Sequence, residues 1–254
     1  MGDACHFFSK LNMCVVVIQI TMLASFRYIH KPAAEHSSKD VLENKYTLGD
    51  LKNLFTVYNS KQGYRVYDNH VAFQQHLLAM PALERCFHEV IFDVEQRIKF
   101  DIDATKDGLQ ALSANVEDTY ANVVASVKQA ARDMFFAHYG KWLEETDLVV
   151  CESHDENASK FSTHIIVPNY KVRNSAQAKE FTRTCMEAIP VLYRSFVDVS
   201  INKSIQNFRL PGCCKTGQNR FKQITSGHEF ASALISCVQD DELLPDLVVA
   251  ATVQ

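Results

Sequence analysis

Three signatures that would settle the chemistry at once are missing from this chain. There is no glycine-rich phosphate loop, no Gly-x-Ser-x-Gly elbow and no His-Glu-x-x-His pair, so P-loop ATPase, α/β-hydrolase and zincin readings lack their main support. The eight cysteines, at positions 5, 14, 86, 151, 185, 213, 214 and 237, contain no Cys-x-x-Cys spacing. The adjacent Cys213 and Cys214 are poorly placed to share a tetrahedral zinc, and the set reads as reduced, structural thiols of an intracellular protein. Internal repeats and low-complexity tracts are absent as well. Only one apolar run, residues 13–26, imitates a signal peptide or a span. Its polar Gln19, its β-branched cluster and its length, below the roughly 20 residues a span requires, point to a buried strand or short helix. Gly2 opens no myristoylation signal, because His6 stands where serine or threonine is required, and no membrane partner is expected.

What is present is the material of a folded protein. The 254 residues are 47% hydrophobic and 22% charged, enough for a sizeable core in one large or two intertwined domains. A net charge of -4 argues against a uniformly basic nucleic-acid coat while leaving room for a local basic groove beside acidic metal ligands. Residues 32–40 read as a polar linker. Leu51, Leu54, Phe55 and Tyr58 then recur at helical spacing, followed by a strand over 63–67, a helix over 72–78 and strands over 88–91 and 96–103. The clearest helix spans 109–138, through Leu112, Val116, Tyr120, Val123, Val127, Ala131 and Met134. Strands over 148–151 and 161–167 flank a polar loop, and Ser175 or Asn174 caps a helix to about Ala188 that Pro190 ends, ahead of a strand-like 196–201. Alternating β and α segments imply an α/β or α+β core that carries its chemistry on sheet strands.

Three constellations stand out. Asp101 and Asp103, at i and i+2 of an extended strand, project to one face and repel unless a cation neutralises them, so they can share a divalent ion. Asp198 can close such a site from elsewhere in the chain. Lys160, Ser162 and His164 likewise share a strand face, with Phe161, Thr163 and Ile165 on the other; an ammonium, a hydroxyl and an imidazole in a row suit a triphosphate. Arg209 and Lys215 place two cations near Asp198, and Arg220 and Lys222 extend the basic stretch. Cations offset phosphate charge in a phosphoryl-transfer site, while metals align the attacking and leaving oxygens.

Taken in order, Arg97-Ile-Lys-Phe-Asp-Ile-Asp103, Lys160-Phe-Ser-Thr-His-Ile-Ile166 and Phe196-Val-Asp198 through Asn207-Phe-Arg-Leu210 to Lys215 resemble the three motifs of the archaeo-eukaryotic primase superfamily. The likeness is greatest to its PrimPol-type branch and to primases of large DNA viruses, and extends from about Gly63 to Val238. It implies an α+β primase-polymerase fold, with an RRM-like catalytic sheet packed against an N-terminal α/β module and the active site in the cleft between them. It divides the chain into an N-terminal segment (1–40), a catalytic core (41–240) and a C-terminal tail (241–254).

By the same resemblance, Asp101, Asp103 and Asp198 hold catalytic Mg2+ or Mn2+. Lys160, Ser162, His164, Arg209 and Lys215 contact the incoming nucleotide, and Arg65 assists at nucleotide or template. The implied activity is template-directed nucleotidyl transfer by a DNA primase/polymerase, the alternative being a catalytically silent nucleic-acid-binding or replisome assembly module. Implied partners are single-stranded DNA template and primer, nucleoside triphosphates, and a replicative helicase or another replisome protein. The implied location is the nucleus or cytoplasm, or a viral replication site, with the mitochondrion left open. Asp103 stands where PrimPol proteins often carry glutamate, and Gln206 where they are often basic. No Cys/His zinc module or helicase domain precedes Gln254, which leaves primer initiation to a partner or to further sequence.

Overall fold

The computed structural model describes residues 26–29, 54–153 and 159–247; the linker reading over 32–40 and the apolar run up to residue 25 lie outside these. The fold mixes helices with two main sheets, both antiparallel throughout. The first contains β1 (Phe26–Ile29), β2 (Phe55–Asn59), β3 (Gly63–Tyr67), β4 (Phe87–Phe92) and β9 (Ile205–Arg209), in the order β1-β3-β2-β4-β9. The second contains β5 (Lys99–Thr105), β6 (Val149–Glu152), β7 (Lys160–Ile166) and β10 (Gln223–Ile224), in the order β10-β6-β7-β5. Among the described residues a parallel pair, β8 (Tyr170–Lys171) with β11 (Glu242–Leu243), completes the strands. The described α-helices are α1 (His70–Ala79), α2 (Lys106–Gln110), α3 (Val116–Tyr139) and α4 (Ser175–Ala188).

Alternation along β5 decides how the second sheet sits. Phe100, Ile102 and Ala104 are buried among Tyr120, Val123, Val127 and Phe135 of α3 and Phe181 and Cys185 of α4. The opposite face turns to the first sheet, where Ile91 and Phe208 pack with Val149, Cys151 and Ile166. Asp101 and Asp103 therefore lie on the face between the sheets, by the period-two rule that put them on one side. The β5 row is closed at one end and open at the other. Lys99 is fully buried, the Asp101 side chain is 19% exposed, and that of Asp103 is 33% exposed.

Four local expectations are corrected. Of the helical spacing read over 51–58, Leu51 lies outside the described residues and Phe55 and Tyr58 belong to strand β2, an interior strand buried on both faces, which erases the alternation that marks a half-exposed strand. The single helix over 109–138 is two. Asn115 accepts from the Asp118 backbone N–H and starts α3 afresh, leaving Leu112 exposed in the break. β5 begins at Lys99, because Gln96 is diverted into a lone bridge with Val172. The strand-like 196–201 is a pair of tight turns, Val191–Phe196 and Val199–Ile201, with Val197 bridging Ile102 on the free edge of β5. On the same face of β5 as the aspartates, Lys99 is buried and its ammonium donates to Gln96 and Asn202.

Residues 241–247 take part in the fold. Arg97 is locked by Asp241 through two donors (2.7 and 3.0 Å) and by the carbonyls of Ala231, Ser232 and Leu234. Leu244 is buried in the cluster below β5. No described helix is long and apolar enough to cross a membrane.

Candidate active site

Strand register assembles the first part of the site. Asp101 is paired with His164, Asp103 with Ser162, and Thr105 with Lys160, so residues read from two separate motifs stand directly opposite on one face. The other face carries Thr163, whose hydroxyl accepts from Tyr120 at 2.8 Å, and Phe161, whose ring lies 4.9 Å from that of Tyr120. His164 is stacked on Phe208 of β9, with ring centroids 3.9 Å apart. Phe208 thus ties the nucleotide-binding candidate to the first sheet.

Asp198 arrives by a different route. β5 is an edge strand, and the segment after Val197 lies along it; the backbone N–H of Asp198 donates to the Asp101 carbonyl at 2.9 Å. Its carboxylate Oδ1 accepts from the Ser200 N–H at 2.8 Å and is exposed. Among the described residues no three His, Cys, Asp or Glu side chains converge into a preassembled metal cluster. Asp101 and Asp103 nevertheless each keep one buried oxygen, Oδ1, without a hydrogen-bond partner. Two orphaned carboxylate oxygens on one face, with a third carboxylate tethered beside them, are a hard-oxygen donor set that fits Mg2+ or Mn2+.

The carboxylates differ in how they are held. Burial, and next the Asp103 charge, push the Asp101 carboxyl up to about 6. Burial acts the same way on Asp103, but hydrogen bonds from Lys160 and Ser162 outweigh it and leave that carboxyl below its ordinary value. The Lys160 ammonium donates to Asp103 Oδ2 at 2.6 Å. His164 Nε2 is 3.5 Å from Asp101 Oδ1, too long for a good hydrogen bond. Burial, then the nearby Lys222 and Arg209 charges, hold the imidazole neutral.

Cations ring the far side. Arg209, at the end of β9, is largely buried, directs Nη1 to Ser153 Oγ at 3.4 Å and leaves Nε unpartnered. Burial lowers the Arg209 guanidinium, opposed by Asp101 and Asp103. Lys215 is lowered by burial and by the Arg209 and Lys160 charges, with Asp103 pulling the other way. Arg220 donates to the Lys160 carbonyl at 2.7 Å. With Lys160 and Lys222 these are five cations around three carboxylates, an excess that suits a polyanion.

Arg65 lies on β3, with Nη1 3.3 Å from His76 Nε2 of α1 and its guanidinium 5.9 Å from the centroid of the Phe87 ring. Two residues not singled out in the sequence also belong to the site. His88, paired with Arg209 across β4 and β9, has a buried, unpartnered Nδ1 and a pKa driven to about 4 by burial and then by Arg209. Ser153 meets Arg209. The signal for His88 is a polar residue inside the apolar Phe87–Phe92 run; Ser153 carried none, since its partners come from distant parts of the chain.

No protein-family model matches the chain. It is 34% identical over 198 residues to a protein of African swine fever virus (isolate Pig/Kenya/KEN-50/1950) named "Putative helicase/primase complex protein", covering 74% of this chain and 19% of that protein. Proteins of the same name from strain Badajoz 1971 Vero-adapted and isolate Tick/Malawi/Lil 20-1/1983 are each 33% identical, over 207 and 215 residues, covering 74% and 79% of this chain and 19% of each relative. The chain spans about a fifth of the length of the curated relatives it matches. It is thus related to a segment of viral proteins named for a helicase/primase complex.

Proposed function

We propose that this chain is a metal-dependent DNA primase/polymerase domain of the archaeo-eukaryotic type, acting in viral DNA replication. The observation that carries the reading is the register of β5 on β7, which sets Asp101 and Asp103 opposite His164 and Ser162 while the chain after Val197 brings Asp198 to the same edge. The relatives' name supports a replisome setting.

Asp101, Asp103 and Asp198 would hold Mg2+ or Mn2+, which when bound supplies the charge that eases ionisation of a primer 3′-hydroxyl and stabilises departing pyrophosphate. The protein's own groups do the rest. Ser162, neutral His164 and Lys160 offer a hydroxyl, an imidazole and an ammonium to the triphosphate. Arg209, with an unpartnered Nε, and Lys215 neutralise phosphate from the opposite wall. Phe208 fixes the plane of His164, and the depth of the cleft at Asp101 limits water around the reacting phosphate.

The test is incubation with single-stranded template, Mg2+ or Mn2+ and labelled nucleotides, with and without primer. Synthesis without primer marks a primase, and synthesis only from a primer marks a polymerase core. No product under any condition overturns the enzymatic reading in favour of an assembly module.

A further inference from the structure

Lys222 stands out among the described lysines because it is fully buried and because it touches the site through a single residue. Its ammonium donates to Ser162 Oγ at 2.9 Å and to the Ser162 carbonyl at 3.1 Å. Its backbone is pinned as well: the Lys222 N–H donates to the Cys213 carbonyl at 2.9 Å and its own carbonyl accepts from Gly212 at 2.6 Å. These bonds close the base of the loop that carries Lys215 and Arg220. The other fully buried lysine among the described residues, Lys99, donates to Gln96 and Asn202.

We propose that Lys222 is a positioning residue that fixes the Ser162 hydroxyl as a hydrogen-bond donor facing Asp103 and the incoming phosphate. The chemistry follows from donor counting. An ammonium has hydrogens and no lone pair, so in the 2.9 Å contact Ser162 Oγ must accept. The single hydroxyl hydrogen is then left for another acceptor, and Asp103, directly across the strand pair, receives a hydrogen bond from Ser162. A neutral or absent partner at 222 would let the hydroxyl rotate and turn its hydrogen inward. Burial, and next the Arg209 charge, lower the Lys222 ammonium to about 7 against the pull of Asp101 and Asp103, so the donor counting holds for the charged form, which prevails below that pH. This inference rests on the proposed nucleotide-binding role of Ser162 and adds to it the residue that sets the hydroxyl's direction.

The experiment is a double-mutant cycle on nucleotide affinity, using the full chain, dATP or ATP with Mn2+, and no template. Lys222→Met should weaken binding about tenfold, the order expected for losing a charge-assisted hydrogen bond, with Ser162→Ala giving a similar loss. In the Ser162→Ala background, Lys222→Met should change affinity less than about twofold, because the group it acts through is gone. Losses that multiply, or wild-type affinity in Lys222→Met, overturn the proposal while leaving Ser162 as a ligand. Absence of nucleotide binding by the wild-type chain overturns the functional reading itself. If Lys222→Met has no cooperative melt, the same cycle with Lys222→Gln decides, since the amide is polar but carries an acceptor as well as donors and so no longer forces Ser162 Oγ to accept: a loss seen only when Ser162 is present supports positioning, and a loss that persists in Ser162→Ala overturns it.

Discussion

Residues adjacent in one motif have different duties. Arg97 opens the stretch that ends in the two aspartates, yet all three of its guanidinium nitrogens are engaged by Asp241 and three carbonyls of the 231–234 turn. A lysine cannot reproduce that fork, so Arg97→Lys is expected to lower stability by about 3 kcal/mol, read from chemical denaturation. Lys160 is the opposite case. Its ion pair with Asp103 leaves both side chains about a third exposed, 34% and 33%. Such pairs contribute about 0–1 kcal/mol. Lys160→Met should therefore leave the melt almost unchanged while weakening nucleotide binding, and a large drop in melting temperature with normal binding would recast Lys160 as structural. Part of this was legible before the structure: the aspartate pair and the Lys160–Ser162–His164 row follow from strand periodicity alone. Lys222 could be read only as one more cation in a basic stretch, and Ser153 not at all, because their partners are brought near by tertiary folding.

Among the elements, β7 gives the sharpest contrast, since its two faces have separate work. Thr163 accepts from the buried Tyr120 hydroxyl beneath the sheet, whereas Ser162 and His164 face the cleft. Thr163→Val should cost about 1 kcal/mol by removing the 2.8 Å acceptor of that hydroxyl and leaving it the longer contact to the Ile102 carbonyl, and leave nucleotide affinity near wild type. His164→Ala should weaken nucleotide binding far more. Equal affinities for the two variants would contradict the shared-face assignment. β3, β6, β7 and α4 fall close to where the pattern puts them, with Asn174 rather than Ser175 capping α4. Strand β2 defeated the pattern because Leu54, Phe55 and Tyr58 happen to stand at helical spacing. The break before α3 was hidden because Leu112 continues the helical period although it is exposed and serves no core. The 196–201 segment looks like a strand by composition, but its one bridge to β5 is what delivers Asp198.

Across the whole molecule, two antiparallel sheets meet face to face, sealed by Ile91, Phe208, Val149, Cys151 and Ile166 at one end and opening past Asp101 to Asp103 at the other. The first sheet ends in β9, so the N-terminal and C-terminal parts of the chain are interleaved rather than laid side by side. Cations on the far wall predict phosphate contacts without base reading. Arg209→Gln or Lys215→Gln should weaken single-stranded DNA binding similarly on several sequences and reduce the slope of log affinity against log salt by about 0.7 for each phosphate that is no longer neutralised. A sequence-dependent defect with an unchanged slope would move these residues off the backbone. The account as a whole stands on the carboxylates, and the most direct measurement is labelled-nucleotide incorporation on a primed template at saturating Mn2+, comparing wild type with Asp101→Asn. The substitution removes a buried charge from a repelling pair, so Asp101→Asn is predicted to melt no lower than wild type and to lose incorporation by at least about a hundredfold. Incorporation by Asp101→Asn at the wild-type rate would contradict the account.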